Sequence, residues 1–173
     1  MLPKLSFVLG GAASGKSAWA ENLLLSNCLE PVYLATARVF DEEIKTKIKV
    51  HQSRRNDLWT TIEADTEVEI ALSERCATQG VLFDCATMWL SNHMLDGADL
   101  DQSQDTLLAA LRTCPCPVVI VSNEVGHGIV PDNPLARAFR EKQGRLNIAL
   151  AAQANLAVHV TAGLPLILKG ALP

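Results

Sequence analysis

One glycine-rich segment, residues 10–17, constrains the fold more than any other part of the chain. It reads Gly-Gly-Ala-Ala-Ser-Gly-Lys-Ser and lies between the apolar run at 5–9 and a helix-like stretch. This is the form G-x-x-x-x-G-K-S, whose successive backbone N–H groups can point inward at phosphate oxygens. A turn that merely caps a helix is the alternative, and the strand before it and the helix after it disfavour that interpretation. The segment therefore predicts a phosphate-binding loop in an α/β fold.

Within this loop, the residue types have distinct predicted roles. Lys16 can reach the β- and γ-phosphates of a nucleotide, and the Ser17 hydroxyl is a predicted Mg²⁺ ligand. The helix that starts near Ser17 directs its positive end at the same anion. The predicted nucleotide-binding residues of the loop are Gly10, Gly11, Ala12, Ala13, Ser14, Gly15, Lys16 and Ser17.

Size and charge limit the number of domains and the kinds of partner that the chain can have. The chain has 173 residues and 49% hydrophobic content, which predicts a single domain spanning residues 1–173. Fifteen basic and 19 acidic residues give a net charge of −4, and no basic run exceeds Arg54-Arg55. We therefore expect neither a nucleic-acid groove nor binding to an anionic membrane. No export signal and no apolar segment of membrane-spanning length is visible in the sequence.

The cysteines indicate a reducing environment. They are five in number and scattered, which is typical of the reduced, mostly buried thiols of a cytoplasmic protein. Cys114-Pro115-Cys116 resembles a fragment of a metal site, but no second Cys/His cluster lies near it in the sequence.

Short apolar runs alternate with helix-period stretches along the chain. The runs are apolar at successive positions, as in strands covered on both faces by helices. They predict a P-loop NTPase-like α/β fold: a doubly wound, mostly parallel sheet with helices on both faces. The predicted strands are 5–9, 32–36, 81–84, 117–122, 157–161 and 164–169.

Helix signals lie between these runs. Acidic residues at 41–43 and basic residues at 54–55 suit the two ends of one helix. Asn133 followed by Pro134 predicts the cap and first position of another. The polar, acidic stretch 95–103 is predicted to be a surface loop.

Candidate functional residues follow the predicted strands. Asp84 closes a buried strand and is a predicted Mg²⁺ ligand, with an N-cap role as the alternative. Ligands of open α/β sheets bind outside the carboxyl ends of the strands, where Thr36, Asp84, Asn123 and Glu124 would meet the phosphate loop.

His51 is a second kind of candidate. Ile44, Ile48 and His51 are spaced to share one helix face, and residues 52–55 after them carry donors suited to phosphate oxygens. A histidine on an apolar helix face is more often a core residue with a satisfied hydrogen bond. Catalysis and packing therefore both stay open for His51 on pattern alone.

Glu124 begins a loop, 124–131, that contains two glycines and a proline. Its carboxylate could orient a substrate hydroxyl or a metal-bound water, or it could tie down its own loop. The pattern does not separate these two roles. His93 and His159 lie in apolar surroundings and are assigned no role.

Together these motifs resemble the family of bifunctional adenosylcobinamide kinases/adenosylcobinamide-phosphate guanylyltransferases, and the resemblance covers nearly the whole chain. The stretch from Asn123 to Pro131 and the histidine at 51 are much more specific than the phosphate loop. The resemblance rests on residues 10–17, 33–37, 41–43 with Ile48 and His51, on Trp59, Glu63 and Asp84, on 123–126 and 128–131, on Arg137, 139–140 and 144–147, and on 163–165.

The resemblance implies a kinase that phosphorylates adenosylcobinamide with ATP or GTP and then transfers GMP from GTP to that phosphate, with Mg²⁺ as cofactor. It implies that His51 carries GMP covalently, and it suggests a homo-oligomer, a trimer. Asn56 and Asn155 depart from the family pattern, in places that touch neither His51 nor the phosphate loop. The guanine nucleotide site that the resemblance implies also includes Thr36, Ala37, Arg38, Gln52, Ser53, Arg54, Arg55 and Glu63.

Two other functions fit the phosphate loop. One is a kinase of another small alcohol in which His51 is structural. The other is a nucleotide-gated switch without transfer chemistry.

Overall fold

The computed structural model describes residues 1–27, 30–38 and 58–173. Four of the predicted nucleotide-site residues, at 52–55, lie outside this part of the chain. His51 and the predicted helix over 41–55 lie outside it as well.

The described residues build one seven-stranded sheet in the order β3-β2-β4-β5-β1-β6-β7. Every neighbouring pair is parallel except β6 and β7, which are antiparallel. The predicted mostly parallel sheet is therefore confirmed. The strands are β1 (Leu5–Gly10), β2 (Glu30–Ala35), β3 (Thr60–Glu63), β4 (Gln79–Asp84), β5 (Val118–Asn123), β6 (Leu156–Thr161) and β7 (Leu164–Lys169).

β3 was not predicted from the sequence. It is a four-residue edge strand with three exposed side chains, so it lacks the apolar run that marks a central strand. It pairs with β2 and places Glu63 in register with Ala35.

Five helices connect the strands in the described part of the chain. The predicted cap is confirmed, since the Asn133 side chain accepts from Leu135 N at 2.8 Å and from Ala136 N at 3.3 Å. In this part of the chain, no helix is long and apolar enough to span a bilayer. The helices are α1 (Lys16–Leu25), α2 (Val68–Ser73), α3 (Ala86–Leu95), α4 (Leu100–Thr113) and α5 (Pro134–Gln153).

The prediction of a surface loop over 95–103 is wrong in its second half, because α4 begins at Leu100. Asp99 caps this helix by accepting hydrogen bonds from Asp101 N and Gln102 N, both at 3.1 Å. The polar residues of the stretch form the cap and solvent face of the first turn, while Leu107 and Leu111 further along are buried.

Helices cover both faces of the sheet, as predicted. Phe7, Leu34 and Ile120 face one side, where they pack with buried residues of α2, α3, α4 and α5. Val8 and Leu82 face the other side, where α1 packs. Because β1 is an interior strand between β5 and β6, the loop after it opens at the carboxyl edge of the sheet between the ends of these two strands.

Candidate functional site: a phosphate-binding loop at the carboxyl edge of the sheet

The phosphate loop follows β1 and passes directly into α1, whose first residue is Lys16. At Gly10 the loop is packed too closely for a side chain. An added Cβ would lie 2.5 Å from the Ser14 Oγ and 2.7 Å from the backbone oxygen of Val160. The first glycine of the motif thus lets the loop fold back over the end of β6.

The second glycine of the motif has a conformational reason. Gly15 has φ of 88°, in the left-handed region that disfavours other residues, and an added Cβ would lie 3.0 Å from the Gly163 Cα. Gly163 N also donates a 2.8 Å hydrogen bond to Ser14 O. The turn between β6 and β7 therefore packs against the phosphate loop and stabilises it. Local sequence patterns do not predict this contact, because the two segments are far apart in the chain.

Lys16 bends back over the loop that precedes it. Its Nζ donates to Gly11 O at 3.1 Å. Burial is the main influence on the pKa of Lys16 and lowers it, while the nearby Cys85 and Asp84 act in the opposite direction. The ammonium group is thus partly desolvated and close enough to interact with Asp84, as suits a group that binds phosphate.

Asp84 is the last residue of β4, at the same edge of the sheet. Its carboxylate accepts a 3.2 Å hydrogen bond from the Tyr33 hydroxyl. The N-cap alternative finds no support, because α3 has Cys85 at its N-cap and no side-chain cap hydrogen bond. Asp84 thus ends β4 close enough to Lys16 to interact with its ammonium group.

The donor atoms near the loop fit a magnesium ion. Ser17, half-buried in the first turn of α1, offers a hydroxyl, and Asp84 offers a carboxylate. Magnesium prefers such oxygen ligands and usually keeps several waters and substrate phosphate oxygens. The described residues hold no cluster of three His, Cys, Asp or Glu side chains suited to a metal, so a fully protein-held cation does not fit there.

Thr36 is fully buried beside the end of β4. Its hydroxyl donates to Cys85 O at 2.8 Å and accepts from Cys85 N at 2.9 Å. Asn92, which the sequence did not single out, donates to Thr36 O at 2.8 Å and to Asp65 O at 2.9 Å. Thr36 thus fixes the residue after Asp84, and its predicted contact with a nucleotide stays a prediction.

Three other predicted nucleotide-site residues lie farther along this edge. Arg38 pairs with Asp65 and donates to both carboxylate oxygens of Asp96, each at 2.7 Å. These hydrogen bonds raise the pKa of Arg38 and lower the pKa of Asp65 and of Asp96. Glu63 ends β3 and is exposed, and Ala37 lies half-buried between Thr36 and Arg38.

Glu124 follows β5 and lies next to the start of the phosphate loop. Its backbone N donates to Gly10 O at 3.0 Å, and its Oε1 accepts from Gly126 N. Glu124 therefore stabilises its own loop, which is one of the two roles predicted for it. It also lines a cavity with His127 and His159, two histidines to which sequence reasoning gave no role.

Comparison with known proteins places the chain in a family. The family described as cobinamide kinase / cobinamide phosphate guanyltransferase matches residues 6–168. The bifunctional adenosylcobalamin biosynthesis protein CobP of Pseudomonas aeruginosa is 39% identical over 94% of this chain and 96% of its own length. The bifunctional adenosylcobalamin biosynthesis protein CobU of Escherichia coli is 36% identical over 94% and 98%.

Solved structures support the fold. One from Pyrococcus horikoshii OT3 superposes with a TM-score of 0.56 at 11% identity, covering 98% of this chain and 88% of that one. At this identity the likeness concerns the fold alone. The family match and the two relatives confirm the resemblance seen in the sequence, and the chain belongs to the cobinamide kinase / cobinamide phosphate guanyltransferase family.

Proposed function

We propose that the chain carries out two successive reactions of cobalamin biosynthesis on one nucleotide-binding site. It first phosphorylates adenosylcobinamide with ATP or GTP. It then transfers GMP from GTP to adenosylcobinamide phosphate, giving adenosylcobinamide-GDP and pyrophosphate. Family membership supports this assignment, and the observation that carries it is the phosphate loop with Lys16 and Asp84 at the carboxyl edge of the sheet.

The loop supplies the phosphate site. Its backbone N–H groups and the N-terminus of α1 bind phosphate oxygens, and Lys16 neutralises the charge that develops on them. Mg²⁺, held by Ser17 and Asp84, adds positive charge at the phosphate oxygens when it is bound. Thr36 and Tyr33 keep the end of β4 and the Asp84 carboxylate in place.

We propose His51 as the nucleophile of the second reaction. A neutral imidazole nitrogen forms a bond to the α-phosphorus of GTP, while the bond from that phosphorus to the bridging oxygen breaks and pyrophosphate leaves. A phosphate oxygen of the acceptor then attacks the same phosphorus, and the imidazole leaves. Two steps remove the need to align both substrates at once. The guanine nucleotide site proposed around His51 comprises Thr36, Ala37, Arg38, Gln52, Ser53, Arg54, Arg55 and Glu63.

The proposal extends to assembly and location. We propose a homo-oligomer, a trimer as the family resemblance suggests. The edge strand β7 supports association, because Leu164, Leu166 and Leu168 are 55–72% exposed. Light scattering after gel filtration tests this. A cytoplasmic location is supported by the cysteines, since Cys76, Cys85 and Cys114 are free thiols.

Covalent labelling tests the function. Protein incubated with α-³²P-GTP and Mg²⁺ should retain label that survives alkali and is lost in acid, as a phosphoramidate does. His51→Ala should abolish the label. His93→Gln is the matched control: His93 hydrogen-bonds Thr66 O and makes an edge-to-face contact with Trp89, so this variant should label like the wild type.

The outcome separates the proposal from its two alternatives. Phosphorylation of cobinamide without a covalent label would leave a simple kinase in which His51 is structural. Retained GTP binding with no reaction on cobinamide would instead indicate a nucleotide-gated switch. Neither alternative gains support from the family match.

A further inference from the structure

A cavity of about 420 Å³ opens beside the phosphate loop. Residues 11–14 of the loop form one wall, and Glu124 and His127, from the segment after β5, form another. His159 and the end of β6 close it. The sheet order explains this arrangement, because β5 and β6 flank β1 and bring their carboxyl ends to the two sides of the loop.

The cavity adjoins one particular end of the loop. Lys16 Nζ lies 3.1 Å from Gly11 O, and a lysine at this motif position binds the β- and γ-phosphates. The terminal phosphate of a bound nucleotide is therefore placed near Gly11, which is also a wall of the cavity. A molecule in the cavity would lie beside the phosphate that a kinase transfers.

Glu124 is held firmly at this position. Its backbone N–H bonds to Gly10 O, so the residue is anchored to the base of the phosphate loop. Its Oε1 accepts from Gly126 N, and Arg140 of α5 donates in turn to Gly126 O. The Glu124 carboxylate is therefore held by Gly126, whose own backbone is held by Arg140.

A loop-tying role alone does not explain a carboxylate here. An amide oxygen would accept the hydrogen bond from Gly126 N equally well. A negative charge next to a phosphate site repels the nucleotide, and the repulsion grows as water is excluded. A carboxylate that can take up a proton, in contrast, can act as the general base for phosphoryl transfer to an alcohol.

We propose that this cavity receives the hydroxyl-bearing end of the kinase acceptor and that Glu124 is the general base of the phosphorylation step. The inference rests on the proposed function, which makes the acceptor an alcohol. The hydroxyl proton passes to the Glu124 carboxylate, and the hydroxyl oxygen forms a bond to the γ-phosphorus. The bond between that phosphorus and the β–γ bridging oxygen breaks, and the nucleoside diphosphate leaves. His127 and His159 provide hydrogen-bonding groups for the polar atoms of the same acceptor.

The variant Glu124→Gln tests this assignment, because glutamine can still accept from Gly126 N but cannot take up a proton. Two rates are measured on each protein. One is ³²P transfer from γ-³²P-ATP to adenosylcobinamide, and the other is GMP transfer from GTP to adenosylcobinamide phosphate supplied ready-made. We expect the kcat of the first to fall by about 100-fold or more, with little change in the KM for ATP. The second rate should stay close to that of the wild type.

Asp132→Asn is the matched control. This substitution also converts a carboxylate into an amide, directly after the 124–131 loop. Asp132, however, is exposed and does not line the cavity. It should leave both rates unchanged. Glu124→Asp, which keeps a carboxylate on a shorter side chain, should recover part of the kinase rate.

The results distinguish this inference from the function on which it rests. If the wild type phosphorylates adenosylcobinamide and Glu124→Gln does so at a similar rate, Glu124 is not the base. If the variant loses both rates together, its role is structural and the inference fails in the same way. A wild-type protein that transfers no phosphate to adenosylcobinamide would overturn the proposed kinase function itself.

Discussion

Gly15 of the phosphate loop lies in direct backbone contact with Gly163 in the turn between β6 and β7. A Cβ added to Gly15 would be 3.0 Å from the Gly163 Cα and 3.3 Å from its N. The neighbouring hydrogen bond from Gly163 N to Ser14 O, 2.8 Å long, holds the two segments together. The shape of the phosphate site therefore depends on a hairpin turn almost 150 residues away in sequence.

Gly15→Ala should weaken both folding and nucleotide binding. The left-handed backbone at φ 88° costs a non-glycine residue about 1 to 2 kcal/mol, and the contact with Gly163 adds to it. Urea unfolding should show the loss of stability, and the rise in melting temperature on adding Mg-GTP should disappear.

Gly97→Ala separates strain from contact. Gly97 has φ of 70° but no atom within 4 Å of an added Cβ. This variant should lose stability by the strain alone and keep its response to Mg-GTP. Equal losses of nucleotide binding in both variants would contradict the role given to the Gly15–Gly163 contact.

Thr36→Val should destabilise the protein by about 1 to 3 kcal/mol, because it removes the hydroxyl that bonds both Cys85 N and Cys85 O in a fully buried position. Since Cys85 follows Asp84, both reaction rates should fall too. Urea unfolding measures the first effect and the two product assays the second.

Thr36→Ser is the control, because it keeps the hydroxyl and removes a methyl group. It should cost less than the valine variant. A serine variant as unstable as the valine variant would mean that packing of the methyl group, and not the hydrogen bonds, is what Thr36 contributes.

Lys16→Met should abolish most activity without unfolding the protein. Loss of one preorganised charge at the phosphates is expected to lower both rates by about 100-fold or more. Burial lowers the pKa of Lys16 in the folded protein below its ordinary 10.5, so the unfolded chain binds more protons in the alkaline range below that value. The charge therefore opposes folding at neutral pH, and that opposition fades as pH rises toward 10.5.

The ligand-free Lys16→Met protein should thus melt no lower than the wild type at pH 7, and its advantage should shrink at alkaline pH. Lys142→Met removes a lysine that pairs with Asp101 on the surface, and it should keep full activity. A fully active Lys16→Met enzyme would show that residues 10–17 do not bind the transferred phosphates.

The features that sequence predicted well are those set by neighbouring residues. The phosphate loop, the Asp84 strand end and the Asn133 cap each depend on a few consecutive side chains. β3 escaped prediction because an exposed edge strand needs no apolar run. The start of α4 escaped it because a polar first turn has the same composition as a loop.

Parts of the site that depend on strand order could not be predicted from the sequence. His159 lies beside the phosphate loop because β6 pairs with β1 and sets His159 in register with Leu9. Its own apolar surroundings in the sequence indicate only a strand. Glu124 was recognised as a candidate from the sequence, but its hydrogen bond with Gly126 N and the cavity between the ends of β5 and β6 are seen only in the structure.

Arg38→Ala should change how stability responds to acid. In the wild type, hydrogen bonds from Arg38 lower the pKa of Asp65 and Asp96 below their ordinary 3.8. The stabilisation is therefore fully present above pH 3.8 and is lost as pH falls through the lowered values. The variant has no such interaction to lose, so its melting temperature should lie slightly below that of the wild type at pH 7 and converge with it at a pH well below 3.8.

The effect at neutral pH should be small, because Asp65 and Asp96 are about half exposed and solvent screens the pairs. Arg112→Ala serves as control: its guanidinium donates to the uncharged Gln153 at 3.0 Å, so any loss of stability should be the same at both pH values. Arg38→Ala also tests the predicted nucleotide contact. If Arg38 leaves Asp65 and Asp96 to bind GTP, the variant should have a higher KM for GTP than the wild type. A wild-type KM together with a flattened acid response would confine Arg38 to linking β2, Asp65 and α3.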